Sequence, residues 1–503
     1  MTFLSPLIGW RACAAAAVLG LLSALALPPL HLLPALLLAV PGLLALIGSA
    51  ATWRAAAWRG FWFGFAHHLI GLYWITDAIL VEAARFWWLV PLAVPALAAV
   101  LAPFIAIPCA LARRACPGLP RVLTLAGAWV LADLARQFVA TGFPWNPWGA
   151  DWAVPGRFGD LFLQPAAWVG VHGLTLFTLL LAATPALGRR ALAFGAAGLL
   201  AWASFGAWRL AAPPPPAPGV DVVLVQGNVA QGEKWNRARA IGIFQHYLDL
   251  SRSGVAEARA RDPAFVHVVV WPESASPFLV DAEAAVRVAI DAATEGATGL
   301  IGSVRFGPDE RPRNSLIALI GTGAPVAVYD KVHLVPFGEY APGWVPGALQ
   351  LVQGGGGFVP GPGPTTLHVP GLPPLGPLIC YEAIFPGQVV DAADRPDWLV
   401  NITNDAWFGD SSGPRQHLAA ARLRAVEEGL PLVRAANTGI SAAFDAYGHE
   451  LGRLGIGVAG TLVVALPGKV AAPPFARHGL AIPAALAGLA VLGGLTRRIG
   501  RST

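Results

Sequence analysis

A carboxylate, an ammonium and a thiol each stand where an apolar strand would end. Glu273 follows VHVVVWP, Lys331 follows VAVYD, and Cys380 closes GPLIC ahead of Tyr381 and Glu382. The C-terminal ends of strands are where α/β folds gather reactive groups. Singly, each residue is ordinary: a Glu after a strand is usually solvated, and a Cys after Leu-Ile is usually core. Together they have a chemistry. A thiol is a weak nucleophile until it is deprotonated, and a carboxylate within hydrogen-bond reach can take its proton. An ammonium nearby favours the thiolate and supports the oxyanion formed when a carbonyl is attacked. The product is an acyl-thioester, which a second nucleophile resolves. No histidine is required. The 11 histidines form no H-E-x-x-H motif, so neither a metal nor a cofactor is expected.

Of the four cysteines, Cys13, Cys109 and Cys116 lie in or beside apolar runs, and only Cys380 lies in the polar half. It has no nearby disulfide partner, so it is either an inert core thiol or a nucleophile.

The elements that must position these groups read as strands alternating with amphipathic stretches. Strands are expected at 221–229, 266–272, 299–305, 314–320, 324–330, 376–380, 398–403, 431–436, 440–446 and 461–466. Helices are expected at about 237–260, 282–296 and 415–429. Many buried strands with intervening helices argue for an α/β sandwich. The stretch 341–378 is rich in Pro and Gly, and its Gly354 to Gly357 run lacks the Lys-Ser/Thr of a phosphate-binding P-loop, so a mobile loop is expected.

Upstream the composition changes. The chain has 503 residues, 55% hydrophobic and 13% charged, about half the usual charged share. Residues 1–210 hold 12 Arg, no Lys and 5 acidic residues, a net of +7. The whole chain is +5, so residues 211–503 sum to −2. Arginines dispersed between apolar runs are membrane topology signals. A nucleic-acid partner would need a basic face on a folded domain instead.

Seven runs near 12–30, 31–50, 60–80, 86–112, 122–140, 161–187 and 191–210 suit membrane helices, and an eighth, 479–496, follows the polar domain. Arg11, Arg54 with Arg59, Arg113 with Arg114 and Arg121, Arg189 with Arg190, and Arg497 with Arg498 and Arg501 mark every second connection. Those sides should face the cytoplasm, with 211–478 on the other side. A cleaved signal peptide ending near Ala26 would upset that parity, so the first run is expected to be retained. His67 and His68 are expected to cap a helix near the interface. Trp145, Trp148 and Trp152 are expected at headgroup depth. The domains expected are 1–211 (seven helices), 212–219 (a Pro-rich linker), 220–467 (the α/β domain) and 468–503 (the last helix and a basic tail).

Over about 220–467 the order Glu…Lys…Cys resembles the carbon–nitrogen hydrolase, or nitrilase, superfamily. The resemblance rests on VVVWPES around Glu273, YDKVHLVPFGEYAP around Lys331, PLICYEAIFP around Cys380, and LVNITNDAWFG at 399–409. With eight helices around such a domain, and with VQGNVAQGEKWN (225–236) and FGEYAP (337–342), the chain is similar to the bacterial apolipoprotein N-acyltransferase family.

That resemblance implies an αββα nitrilase-like domain beside an eight-helix membrane bundle, in the inner membrane with the catalytic domain periplasmic. It implies a phospholipid donor, typically phosphatidylethanolamine giving its sn-1 chain. The acceptor would be the amino group of a diacylglyceryl-cysteine apolipoprotein, and the product a triacylated lipoprotein. Cys380 would be the nucleophile, Glu273 the base and Lys331 the oxyanion support. Glu339, Tyr381 and Glu382 would assist, Trp235 would line the lipid or acceptor site, and Trp407 and Phe408 would lie on a loop by the cleft. The competing readings are a membrane-anchored amidase that uses water as acceptor, and a transporter or lipid-binding protein with an inactive domain. Eight helices have no purpose for a small soluble amide, and the intact three-residue set argues against inactivity.

Overall fold

The computed structural model describes residues 7–81, 83–234, 236–341 and 357–496. Two compact units result: Met1–Ala212 with Ser411–Ala419 and Ala472–Thr503, and Pro213–Asp410 with Ala420–Ala471.

The second unit is an α/β fold of two sheets. The first holds β1 (Val220–Gln226), β2 (Val266–Val270), β3 (Thr298–Phe306), β4 (Pro312–Leu319), β5 (Ala327–Asp330) and β11 (Gly460–Ala465) in the order β11-β1-β2-β3-β4-β5. The second holds β6 (Leu375–Ile379), β7 (Trp398–Thr403), β8 (Leu432–Ala436), β9 (Ser441–Phe444) and β10 (Glu450–Leu454) in the order β10-β9-β8-β7-β6. The neighbours β1, β2 and β3 run parallel, as do β6, β7 and β8.

Alternation along β1 shows why its apolar run is continuous. Val222 and Leu224 pack with Ile379, Val400, Ile402 and Val433 of the other sheet. Val223 and Val225 pack instead with Phe244, Tyr247, Val255 and Ile290 of the helices Ala240–Arg261 and Ala284–Thr294. A strand buried on both faces reads as unbroken hydrophobicity. On the second sheet, helix Ser412–Glu428 lays Val426 against Gly448, and Arg422 Nε donates to Gly448 O at 2.7 Å. All ten expected strands are present. The eleventh, β10, was not foreseen.

The first unit is helical. Each expected apolar run holds helix, but among the described residues only Ala83–Arg114 and Arg189–Leu210 are long and apolar enough to cross a bilayer on their own. The pair Arg157–Leu163 and Ala166–Ala182 passes jointly, bent by 93°. Gly9–Ala24, Leu33–Ser49 and Ala481–Thr496 are apolar but shorter. The first run stops at Ala24, ahead of Pro28 and Pro29. The fifth, Leu119–Arg136, carries Arg121, Asp133 and Arg136.

The tryptophans of 141–160 are not lipid-facing: Trp145, Trp148 and Trp152 are buried and lie 4.7–4.8 Å from Trp74, Trp129 and Trp202 respectively. The loop folds inward because Gly149 lets the backbone approach Val171 O, where a Cβ would come within 2.1 Å. His67 is buried too, its Nδ1 2.9 Å from Ser23 Oγ, a core contact in place of the expected cap. Gln416 serves the same unit: its Oε1 accepts from the indoles of Trp74 (3.0 Å) and Trp145 (2.8 Å).

Candidate active site

Glu273 lies three residues beyond β2, on a segment pressed against β3. Gly302 allows this, since a Cβ there would sit 1.9 Å from Pro272 O. Ala275 N then donates to Gly302 O at 2.9 Å. Lys331 leaves the end of β5, where Arg305 and Ser315 each donate to Asp330 Oδ1 at 2.7 Å. Its own N–H donates to Asn314 O of β4 at 2.8 Å. Cys380 follows β6 at once and takes φ +52°. A non-glycine residue in the left-handed region is strained, and such strain gathers at functional turns.

The side chains converge. Lys331 Nζ donates to Glu273 Oε1 at 3.0 Å and to Glu339 Oε1 at 3.0 Å. Asn314 Nδ2 donates to the same two oxygens at 2.7 and 2.9 Å. Asn404 N–H donates to Glu273 Oε2 at 2.9 Å. Burial alone would raise the Glu273 carboxyl. The Lys331 charge and hydrogen bond, then Lys234 and Asn314, outweigh it and hold the group below its ordinary range. Burial likewise works against the Lys331 ammonium, but Glu273 and Glu339 drive it well above the usual lysine range.

The buried Cys380 thiol feels these charges. Burial and the Glu273 charge push it up, Lys331 pulls it down, Asp405 pushes it up, and a hydrogen bond with Thr403 pulls it down; the net direction is up. Cys380 therefore rests as a thiol beside an ionised carboxylate. An ionised carboxylate near a thiol can take its proton.

Glu382 ties the strand before the cysteine to the segment after the lysine. Its Oε2 accepts from Ile379 N at 2.6 Å, and its Oε1 from Val332 N at 2.6 Å and Tyr329 Oη at 2.8 Å. Burial raises its carboxyl to about 7 against these donors. Tyr381 is buried, its ring 5.2 Å from Phe385. Trp407 is exposed and Phe408 half-buried on the turn Asp405–Phe408 after β7. Trp235 lies outside the described residues. Sequence reasoning missed Asn314, Asn404, the buried Asp405–Arg434 pair (2.6 Å) and Lys234. The polar run Thr403-Asn404-Asp405, where β7 ends, was the available signal for Asn404 and Asp405.

The carbon–nitrogen hydrolase family profile matches residues 226–475, and the profile of the apolipoprotein N-acyltransferase N-terminal domain matches residues 19–184. An apolipoprotein N-acyltransferase of Rhodopseudomonas palustris is 41% identical over 95% of this chain and 93% of its own. That of Bradyrhizobium diazoefficiens is 41% identical over 98% and 96%, and that of Caulobacter vibrioides 38% over 93% and 92%. A mutant amidase of the nitrilase superfamily from Nesterenkonia aligns with 51% of this chain and 94% of its own, at 23% identity and a TM-score of 0.36. Similarity that runs through the helical and the α/β halves alike means that this chain belongs to the apolipoprotein N-acyltransferase family.

Proposed function

We propose that the chain moves an acyl group, the sn-1 chain of phosphatidylethanolamine, through a Cys380 thioester to the amino terminus of a diacylglyceryl-cysteine apolipoprotein. The observation that carries this is the Glu273–Lys331 ion pair (3.0 Å), whose charges act on the Cys380 thiol.

Glu273 takes the Sγ proton as sulfur attacks the ester carbonyl, and Lys331 supports the oxyanion. Collapse breaks the bond to the glycerol oxygen, which leaves with the proton from Glu273 as a lysophospholipid. The acceptor amine then attacks the thioester and gives its proton to Glu273. Amide forms, and the expelled sulfur recovers the proton. Glu339 and Glu382 hold Lys331 and the cysteine turn, and Tyr381 backs that turn. Trp407 and Phe408, on the turn after β7, lie by the cleft and keep water from the thioester. An amidase reading would leave the helical half without a task, although relatives match it along its length.

In this reading eight segments cross the inner membrane of a bacterium: seven in 1–211, followed by the linker 212–219, and one in 468–503. The catalytic domain 220–467 stands on the periplasmic side. The test incubates the purified protein with acyl-labelled phosphatidylethanolamine and reads intact mass. Acyl mass on Cys380, chased by a diacylated lipopeptide, is expected; acyl label that persists in Cys380→Ala would overturn the nucleophile assignment.

A further inference from the structure

Lys331 is engaged by two carboxylates, Glu273 and Glu339. Those three formal charges sum to −1, and the site still carries −1 once Glu273 has taken the proton and the negative charge sits on sulfur or on the oxyanion. A second ammonium lies close by. Lys234 is 4% exposed, and its Nζ donates to the Glu273 backbone carbonyl at 2.9 Å. It is near enough to Glu273 and Cys380 for each to act on its charge.

Its loop is built in place. Asn228 N donates to Asn437 O and Val229 N to Asn437 Oδ1, both at 2.9 Å. Asn437 Nδ2 donates to Asn404 Oδ1 at 3.1 Å, and Asn404 Nδ2 to Gln231 Oε1 at 2.6 Å. The same Asn404 gives its backbone N–H to Glu273. One amide network therefore fixes both the Lys234 turn and the base.

We propose that Lys234 is a positioning residue that neutralises the excess negative charge of the Glu273–Lys331–Glu339 cluster and so makes Cys380 ionisable during attack. This rests on the acyl-transfer reading above. Burial pushes the Lys234 ammonium down to about 8 against the pull of Glu273 and Cys380. That value still lies above 7, so at pH 7 the ammonium is mostly charged. Its burial sets it apart from a surface lysine that would meet a lipid phosphate.

The test uses the full chain in detergent. Cys380 alkylation by iodoacetamide, located by peptide mass, reports thiolate formation without substrate, and thioester formation from phosphatidylethanolamine reports the reaction. Lys234→Met is expected to slow both at least ~10-fold at pH 7.5, with the phospholipid KM within ~3-fold of wild type. Lys234→Arg, which keeps the charge, is expected within ~3-fold of wild type for both. Wild-type rates in Lys234→Met, a change in KM alone, or equal impairment in Lys234→Arg would each overturn the proposal. So would a Lys234→Met protein that fails to fold while Lys234→Gln folds and reacts normally, or failure of both to fold, which would make Lys234 a residue of the fold. Absence of a thioester in the wild type would instead remove the functional reading itself.

Discussion

Glu273 is a buried carboxylate that stays ionised because donors surround it. Oε1 accepts from Lys331 and Asn314, and Oε2 from the Asn404 backbone. In Glu273→Gln one oxygen becomes an NH2 that must face a donor, so the cluster loses both the proposed base and an acceptor. Thioester formation on Cys380 should fall about 10²–10⁴-fold, read by intact mass at early times. The same residue sets a pH dependence. Its folded value lies below its ordinary 4.5, so its contribution to stability is complete above that value and is lost as pH falls through the folded value. Below about pH 4.5 the wild type should lose stability more steeply than Glu273→Gln. Equal acid sensitivity of the two proteins would contradict the held carboxylate. That Glu273, Lys331 and Cys380 each follow a strand was legible in the sequence, because each comes after an apolar run. Asn314, Asn404 and Lys234 were not: Asn314 is a single polar residue within β4 and the other two lie outside strands and helices, and nothing local says which of them will meet Glu273.

Strand ends place these groups, and the tightest placement is between β2 and β3. Gly302 faces the backbone of Pro272 and Glu273, and a Cβ there would stand 2.9 Å from Glu273 Cα as well as against Pro272 O. Backbone cannot swing aside as a flexible side chain does. Gly302→Ala should therefore destabilise the α/β unit by about 1–3 kcal/mol, seen in chemical denaturation. It should also slow Cys380 acylation by more than the unfolded fraction explains, because Glu273 is displaced. Unchanged acylation would mean that the strand end is looser than its contacts indicate.

At this scale the sequence was legible where periodicity was strong: strands buried on both faces stood out as apolar runs. β10 escaped because ELGRL is a partly exposed strand at the sheet edge with only two leucines. The tryptophan loop misled for another reason. Indoles beside Pro and Gly suit a membrane interface and a folded-in core equally well. Only the partners Trp74, Trp129 and Trp202, distant in sequence, decide between them.

Charge is segregated along the whole molecule. Residues 1–210 are +7 and the rest −2, and the basic residues of the helical half recur at alternate connections. Positive connections stay on the cytoplasmic side during insertion, which puts the acyl-transfer domain on the far side under the proposed topology. A membrane surface suits its chemistry. Donor and acceptor are both lipid-anchored, and a domain held at their own surface meets them at a raised effective concentration. Two single substitutions separate this arrangement from its inverse. Gly323 lies in the exposed turn between β4 and β5, and Arg190 at the start of the helix Arg189–Leu210. In intact cells with a permeable outer envelope, a membrane-impermeant thiol reagent should label Gly323→Cys at once. Arg190→Cys should react only after the inner membrane is opened. The opposite pattern would place the thiol chemistry in the cytoplasm, and the alternation of arginines would then need a cause other than membrane orientation.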